Sequence, residues 1–242
     1  MKKHIPNLVT LLNLFCGSIA VLLAVSGHLI YAAFFVFLGI FFDFFDGLLA
    51  RKLNVQSELG LQLDSLADVV TSGVVPGIVM YQLLNLSVHD GWQSNDLCEG
   101  FHFETFNYVP LIGLLVILAS AYRLAKFNIS TNQSDSFIGL PTPANTLLIM
   151  SLPLIMEFQN SDIINGIILN QWFLISLTIL SCYLLNADIR LLALKFKNWS
   201  FKDNAMRYVL IILAVVLLVV FQFAGIPLII LTYIILSLLN RK

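Results

Sequence analysis

Eight apolar runs divide this chain, at about 6–26, 29–50, 60–84, 107–126, 140–158, 171–190, 205–223 and 225–240. Each is long enough to cross a bilayer, whose hydrocarbon core of ~30 Å takes a helix of about 20 apolar residues. Only helices and closed barrels satisfy their own backbone polar groups in lipid. The runs therefore predict an all-α, polytopic membrane bundle of about eight transmembrane helices. Residues 1–242 form one domain on this reading, with no composition shift to mark a second. Hydrophobic residues make up 59% of the chain, against about 45–50% in soluble domains.

Charge tests the helix count. Lys and Arg favour the cytoplasmic side of a membrane protein. With a cytoplasmic N-terminus, eight passes put all 13 basic residues there. They are Lys2, Lys3, Arg51, Lys52, Arg123, Lys126, Arg190, Lys195, Lys197, Lys202, Arg207, Arg241 and Lys242. The opposite loops hold none, and the long one near 85–106 carries Asp90, Asp96, Glu99 and Glu104 instead. A wrong count would scatter the basic residues over both sides. Both termini are thus expected in the cytoplasm, and the default location is a prokaryotic cytoplasmic membrane.

The start, MKKHIPNLVTLLNLFCG, imitates a cleaved leader. Asn7 and Asn13 interrupt its apolar run, and the run continues to about Val25, so it is read as the first helix. A net charge of -1 without a basic tail gives no reason to expect nucleic acid as a partner. Cys16, Cys98 and Cys182 are too scattered for a disulfide framework or a zinc site. His4, His28, His89 and His102 are scattered as well and are assigned no chemistry.

Against this apolar background the stretch FFDFFDGLLARKLNVQSELGLQLDSLAD, residues 41–68, stands out. Asp43 and Asp46 end the second helix at i, i+3 spacing. Asp64 and Asp68 begin the third at i, i+4. Each pair lies on one helix face, and the turn between makes the helices antiparallel, so the pairs can face each other. Carboxylates converging at low dielectric repel or protonate unless cations intervene. Mg2+ takes oxygen ligands and combines carboxylates with substrate phosphates. Two such ions can clamp a phosphoryl centre and its leaving group. Gly47, Ala50 and Gly60 leave room beside the carboxylates, and Arg51 sits where phosphate oxygens would lie. A buried salt bridge or a proton relay is the plainer account of a single Asp pair, but four aspartates with interleaved glycines and an arginine fit it poorly.

The pattern Asp43-x-x-Asp46-Gly47-x-x-Ala50-Arg51, then eight residues, then Gly60-x-x-x-Asp64-x-x-x-Asp68, resembles the signature of the CDP-alcohol phosphatidyltransferase family. Members of that family transfer a substituted phosphoryl group from a CDP-linked donor to an alcohol and release CMP. The resemblance implies that Asp43, Asp46, Asp64 and Asp68 hold two divalent ions, Mg2+ or Mn2+. It implies that Asp68 also acts as the base. Gly47, Ala50 and Gly60 would make room for the cytidine nucleotide, and Arg51 would meet the diphosphate. It also implies a homodimer, and Gly73-x-x-x-Gly77 offers a close-packing face.

Three further stretches, IPNLVTLLNLFCG (5–17), YRLAKFNI (122–129) and FIGLPTPA (137–144), are similar to those of the members that act on CDP-diacylglycerol and serine. The similarity covers about the first 150 residues. It implies CDP-diacylglycerol and L-serine as the substrates. Asn7 and Thr10, one turn apart on the first helix, either reach the nucleotide or cap the helix. Arg123 and Lys126 end the fourth helix level with the aspartates. They either bind a serine carboxylate or lipid phosphate, or simply obey the positive-inside rule. Asn128 joins them as an acceptor-side or locally capping residue. Lys126 stands where those stretches more often carry Arg, and it loses the bidentate fork. Gly139, Pro141 and Pro143 shape a rigid turn or touch substrate. The rival readings are a family member with another acceptor, such as glycerol 3-phosphate, inositol phosphate or choline, and an ion-coupled transporter. Transporter sites sit on broken helices at mid-membrane, whereas these aspartates lie at the boundary.

Overall fold

The computed structural model describes residues 4–88, 107–129, 136–192 and 201–239. The loop carrying Asp90, Asp96, Glu99 and Glu104, with His89, His102 and Cys98, lies outside the described residues. So do Lys2, Lys3, Lys195, Lys197, Arg241 and Lys242.

Helix α1 spans Ile5–Val25 and α2 spans Leu29–Lys52. Pro6 opens α1, where its missing N–H is no loss. Gly27, at φ +77°, closes it: Gly27 N–H donates to Ala24 O and His28 N–H to Leu23 O. Asn54, at φ +52°, ends α2 in the same way, with Val55 N–H bonded to Ala50 O and Asn54 N–H to Arg51 O. In both places a left-handed residue satisfies the last helix carbonyls and turns the chain back. Ser57 then caps α3 (Glu58–Val69), accepting from Gly60 N–H at 3.1 Å. The third span continues through a π-turn at Val70–Val74 into α4 (Val75–Val88).

The fourth span begins as a 3-10 turn at Val109–Leu114 and becomes α5, Leu115–Ile129. After it come α6 (Thr142–Phe158), α7 (Asp162–Ile168) and α8 (Gln171–Asn186), then α9 (Phe201–Phe221) and α10 (Gly225–Leu239). Strands β1 (Ser136–Ile138) and β2 (Arg190–Leu192) pair antiparallel, with Phe137 opposite Leu191. This ribbon is absent from the all-α expectation. It forms because the sixth apolar run stops at Asn186 instead of reaching 190. Gly139 makes the close approach there, at φ +73°, and its N–H donates to Ile189 O. Leu140 N–H donates to Leu184 O. The Gly139–Pro143 stretch thus has a structural task, pinning the start of α6 to the end of α8.

Among the described residues, five helical segments are long and apolar enough to cross a membrane, or six if the bent pair α7–α8 is one span. The expected count was about eight. Two features account for the difference. Helix α6 has 17 residues with Pro153 inside it. Residues 204–239 count as one apolar segment, although only the short turn Gln222–Ala224 separates α9 from α10. At that turn Gln222 has φ +49°, and the Gly225 backbone lies against Leu217 and Leu218, so the chain reverses.

The core lies where α1, α2, α4 and α6 meet. Ala20, Ala24, Ala32, Ala33, Val36, Val79, Met80 and Ile149 are fully buried there. Small residues let the backbones approach, the packing that membrane helices favour. Gly73 and Gly77 both face α5 of the same chain, against Ser120 and Ile117. Their small face is therefore occupied within the chain and is not open to a second copy.

Candidate active site

The site is built at one end of the bundle, where α1 begins, α2 ends, α3 begins and α5 ends. The two capped turns set its geometry: α2 stops six residues after Asp46, and α3 starts six residues before Asp64. Oxygen atoms of Asp43, Asp46 and Asp64 lie within 4.8 Å of one another. Asp46 is 5% exposed and accepts a 2.6 Å hydrogen bond from Thr10 Oγ1. Asp64 Oδ1 is buried with no hydrogen-bond partner among the described residues. Asp68 stands outside this trio, beside Asp43 and Asp64, and accepts from Asn13 Nδ2 at 3.5 Å.

Three carboxylates this close repel by on the order of a few kcal/mol per pair. A hard divalent cation fits the donor set: all ligands are oxygens, they converge, and one is buried and unpartnered. The residues present therefore suit Mg2+ or Mn2+, and nothing in the geometry separates the two.

A cavity of about 560 Å³ opens beside the trio. Asn7, Thr10, Gly47, Ala50, Arg51 and Gly60, the residues expected at the nucleotide, all line it, with Asp46 and Asp64 in its wall. The two glycines act differently. A Cβ on Gly47 would meet only Arg51, at 4.0 Å, so this position faces open space. A Cβ on Gly60 would come within 3.2 Å of Asn7 Oδ1 and Ser57 Oγ, so Gly60 lets α1 approach α3. Exposed Arg51 is steadied by its Nε donating to Gly47 O at 3.0 Å. Gln56, Ser57 and Glu58 also line the cavity. They sit in the gap between the two halves of the aspartate pattern, where spacing alone assigns no side chain a role.

The three basic-stretch residues separate. Arg123 is 8% exposed, its Nε has no partner among the described residues, and Asp68 and Tyr233 are its charged and polar neighbours. Lys126 is half-exposed and pairs with Asp188 at 3.1 Å. Asn128 Nδ2 donates to Ser65 Oγ at 2.9 Å, tying α5 to α3 one residue after Asp64. Sequence reasoning missed Tyr233, which arrives from a helix more than a hundred residues away and carries no pattern. It also missed Asn13 and Thr71. Asn13 had a signal: with Pro6, Thr10 and Gly17 it forms the buried stripe of α1.

The sequence matches the CDP-alcohol phosphatidyltransferase family over residues 3–184, and the chain belongs to that family. It is 35% identical over 145 residues to a CDP-diacylglycerol–serine O-phosphatidyltransferase of Bacillus subtilis, covering 58% of this chain and 70% of that protein. It is 35% identical over 147 residues to the enzyme of the same name from Helicobacter pylori, covering 60% of this chain and 55% of that one. An archaetidylserine synthase of Methanothermobacter thermautotrophicus is 31% identical over 151 residues, covering 61% of this chain and 56% of its own length. The chain thus spans little more than half the length of two of these relatives.

Proposed function

We propose that this protein transfers the phosphatidyl group of CDP-diacylglycerol to the hydroxyl of L-serine, giving phosphatidylserine and CMP. The observation that carries the reading is the convergence of Asp43, Asp46 and Asp64, two of which, Asp46 and Asp64, stand in the wall of the Arg51-lined cavity. The relatives' names differ in the lipid and share serine, which favours serine as the acceptor.

The donor's acyl chains lie in the bilayer while its cytidine diphosphate enters the cavity. Asn7, Thr10, Gly47, Ala50 and Gly60 shape the nucleotide's place, and Arg51 meets the diphosphate. Asp43, Asp46 and Asp64, with Asp68 beside them, would hold two divalent ions. When bound, these ions neutralise the diphosphate and the departing CMP. Asp68 accepts the proton of the serine hydroxyl. The freed oxygen bonds to the phosphorus that bears diacylglycerol, and the bond from that phosphorus to the CMP oxygen breaks. Arg123, buried and with no hydrogen-bond partner at its Nε among the described residues, takes the serine carboxylate. A guanidinium suits a carboxylate through paired N–H donors. Lys126 and Asn128 flank this acceptor side, Lys126 adding charge and Asn128 holding α3 in place. Such a site works by positioning and charge stabilisation.

The reading includes eight passes with both termini in the cytoplasm, the site facing the cytoplasm, and a homodimer. Support for the passes comes from alternating ends. Gln82 of α4 meets Ala24 and Val25 of α1 at the end opposite the aspartates, and Gln159 of α6 meets Phe221 and Ala224 there. Tyr233 and Ser237 of α10 return to Leu192. The test is CMP release by purified protein in mixed micelles of CDP-diacylglycerol with Mg2+ or Mn2+. Serine, glycerol 3-phosphate, inositol phosphate and choline are supplied separately. Release with serine alone is expected; release with another acceptor alone overturns the choice of serine.

A further inference from the structure

Helix α1 carries a fully buried amide, Asn13, in the middle of an apolar run. Its partner is Thr71, also fully buried, three residues beyond Asp68 in the π-turn. Thr71 Oγ1 donates to Asn13 Oδ1 at 2.8 Å and lies 3.3 Å from Asn13 O. Together with the Asp68 carboxylate, which accepts, this contact sets which way the amide points. With Oδ1 turned to the hydroxyl, Nδ2 faces Asp68 Oδ1 at 3.5 Å. The flipped amide would set its oxygen against a carboxylate oxygen, two acceptors facing each other at low dielectric.

The slot around this pair is closed by glycines on both sides. A Cβ on Gly39 of α2 would fall 2.8 Å from Thr71 Cγ2 and 2.9 Å from Asn13 Oδ1. A Cβ on Gly17 of α1 would overlap Thr71 Oγ1. Thr71 therefore has one place to sit. The π-turn matters as well. Such single-turn insertions shift the helix register and recur at functional sites; here one follows Asp68 directly and presents Thr71 to α1.

We propose that Thr71 and Asn13 are positioning residues that hold the Asp68 carboxylate in the orientation from which it accepts the acceptor's proton. The inference rests on the role given to Asp68 above. It adds that the base is aimed from inside the bundle, through α1, while the trio is organised from the cavity side.

Thr71→Val keeps the shape and removes the donor; Thr71→Ser keeps the donor. The assay uses whichever acceptor supports CMP release by the wild-type protein, so a wrong choice of serine shows in the wild type and leaves this comparison intact. Thr71→Val should lower kcat by about tenfold to a hundredfold, the usual effect of removing a partner that orients a site ligand. KM for donor and acceptor should stay put. Thr71→Ser should restore most of kcat. Asn13→Ala should give a similar loss, and the double variant Asn13→Ala/Thr71→Val no more than either single change, because both break one relay. Wild-type kcat in Thr71→Val overturns the inference. So does a Thr71→Ser protein as slow as Thr71→Val, which would mark packing as the cause. A structure of Thr71→Val decides the matter without turnover: Asn13 Nδ2 should leave Asp68, and an unchanged contact overturns the proposal.

Discussion

The span that carries Asp64 and Asp68 and the pair that ends the chain are both apolar helices of similar reach, yet they are built for different surroundings. In the segment Glu58–Val88 the most apolar window is 61% buried inside the protein; in Asn204–Leu239 it is 11%. The first has a mean hydropathy of 1.5 over that window, the second 3.1. The more hydrophobic segment is the less buried one, the reverse of a soluble protein. Lipid is as good a solvent for Leu and Val as a protein interior, so apolar content does not decide which helix goes to the centre. Small residues and polar side chains with partners do. Thr71, Ser72, Gly73 and Gly77 face other helices, whereas Val215, Val216, Val219 and Val220 of α9 point outward.

That contrast can be broken in graded ways. Removing divalent ions acts on the carboxylates that α2 and the central span bring together, leaves the terminal pair untouched, and has the largest expected effect. Chelation should abolish CMP release, and added Mg2+ or Mn2+ should restore it, with helix content by circular dichroism unchanged. Arg123→Gln comes next. Losing a charged partner for a buried anion costs about 1.5–3 kcal/mol, so KM for serine should rise more than tenfold while KM for CDP-diacylglycerol holds. Gly39→Ala presses a methyl onto Thr71 and Asn13. Overpacking of this kind costs about 1–3 kcal/mol, visible as a lowered thermal midpoint in detergent. Val216→Leu on the outward face of α9 should change neither turnover nor the midpoint, since exposed substitutions stay within about 0.5 kcal/mol. A large loss there would show that α9 packs against something beyond lipid.

Much of this was legible in the sequence because membrane helices announce themselves by length and hydropathy, and because the aspartate pattern sits at helical spacing. The six residues expected at the nucleotide do line one cavity. What was not legible depends on contacts between distant elements. The Arg190–Leu192 strand needs a partner more than fifty residues earlier. The π-turn Val70–Val74 is made of weak helix formers, Val, Thr, Ser and Gly, but that composition does not tell a π-turn from a bend or a break. Tyr233 beside Arg123 is a tertiary accident as far as the one-dimensional pattern goes. Lys126 and Arg123 looked equivalent in YRLAKFNI, three residues apart. Burial separates them: one is enclosed beside Asp68, the other is paired with Asp188 at the surface.

The central claim is a division of labour among four carboxylates: the trio is the main hold on the nucleotide and its ions, and Asp68, at the edge of that ion site, is the base that serves the acceptor. The most direct test measures CDP affinity and CMP release side by side in Asp64→Asn and Asp68→Asn, with Mg2+ or Mn2+ present. The account predicts that Asp64→Asn loses both, while Asp68→Asn loses turnover by about a thousandfold, the scale of a catalytic group, and still binds CDP. Asp68→Asn that releases CMP at the wild-type rate, or that loses CDP as completely as Asp64→Asn, would contradict it.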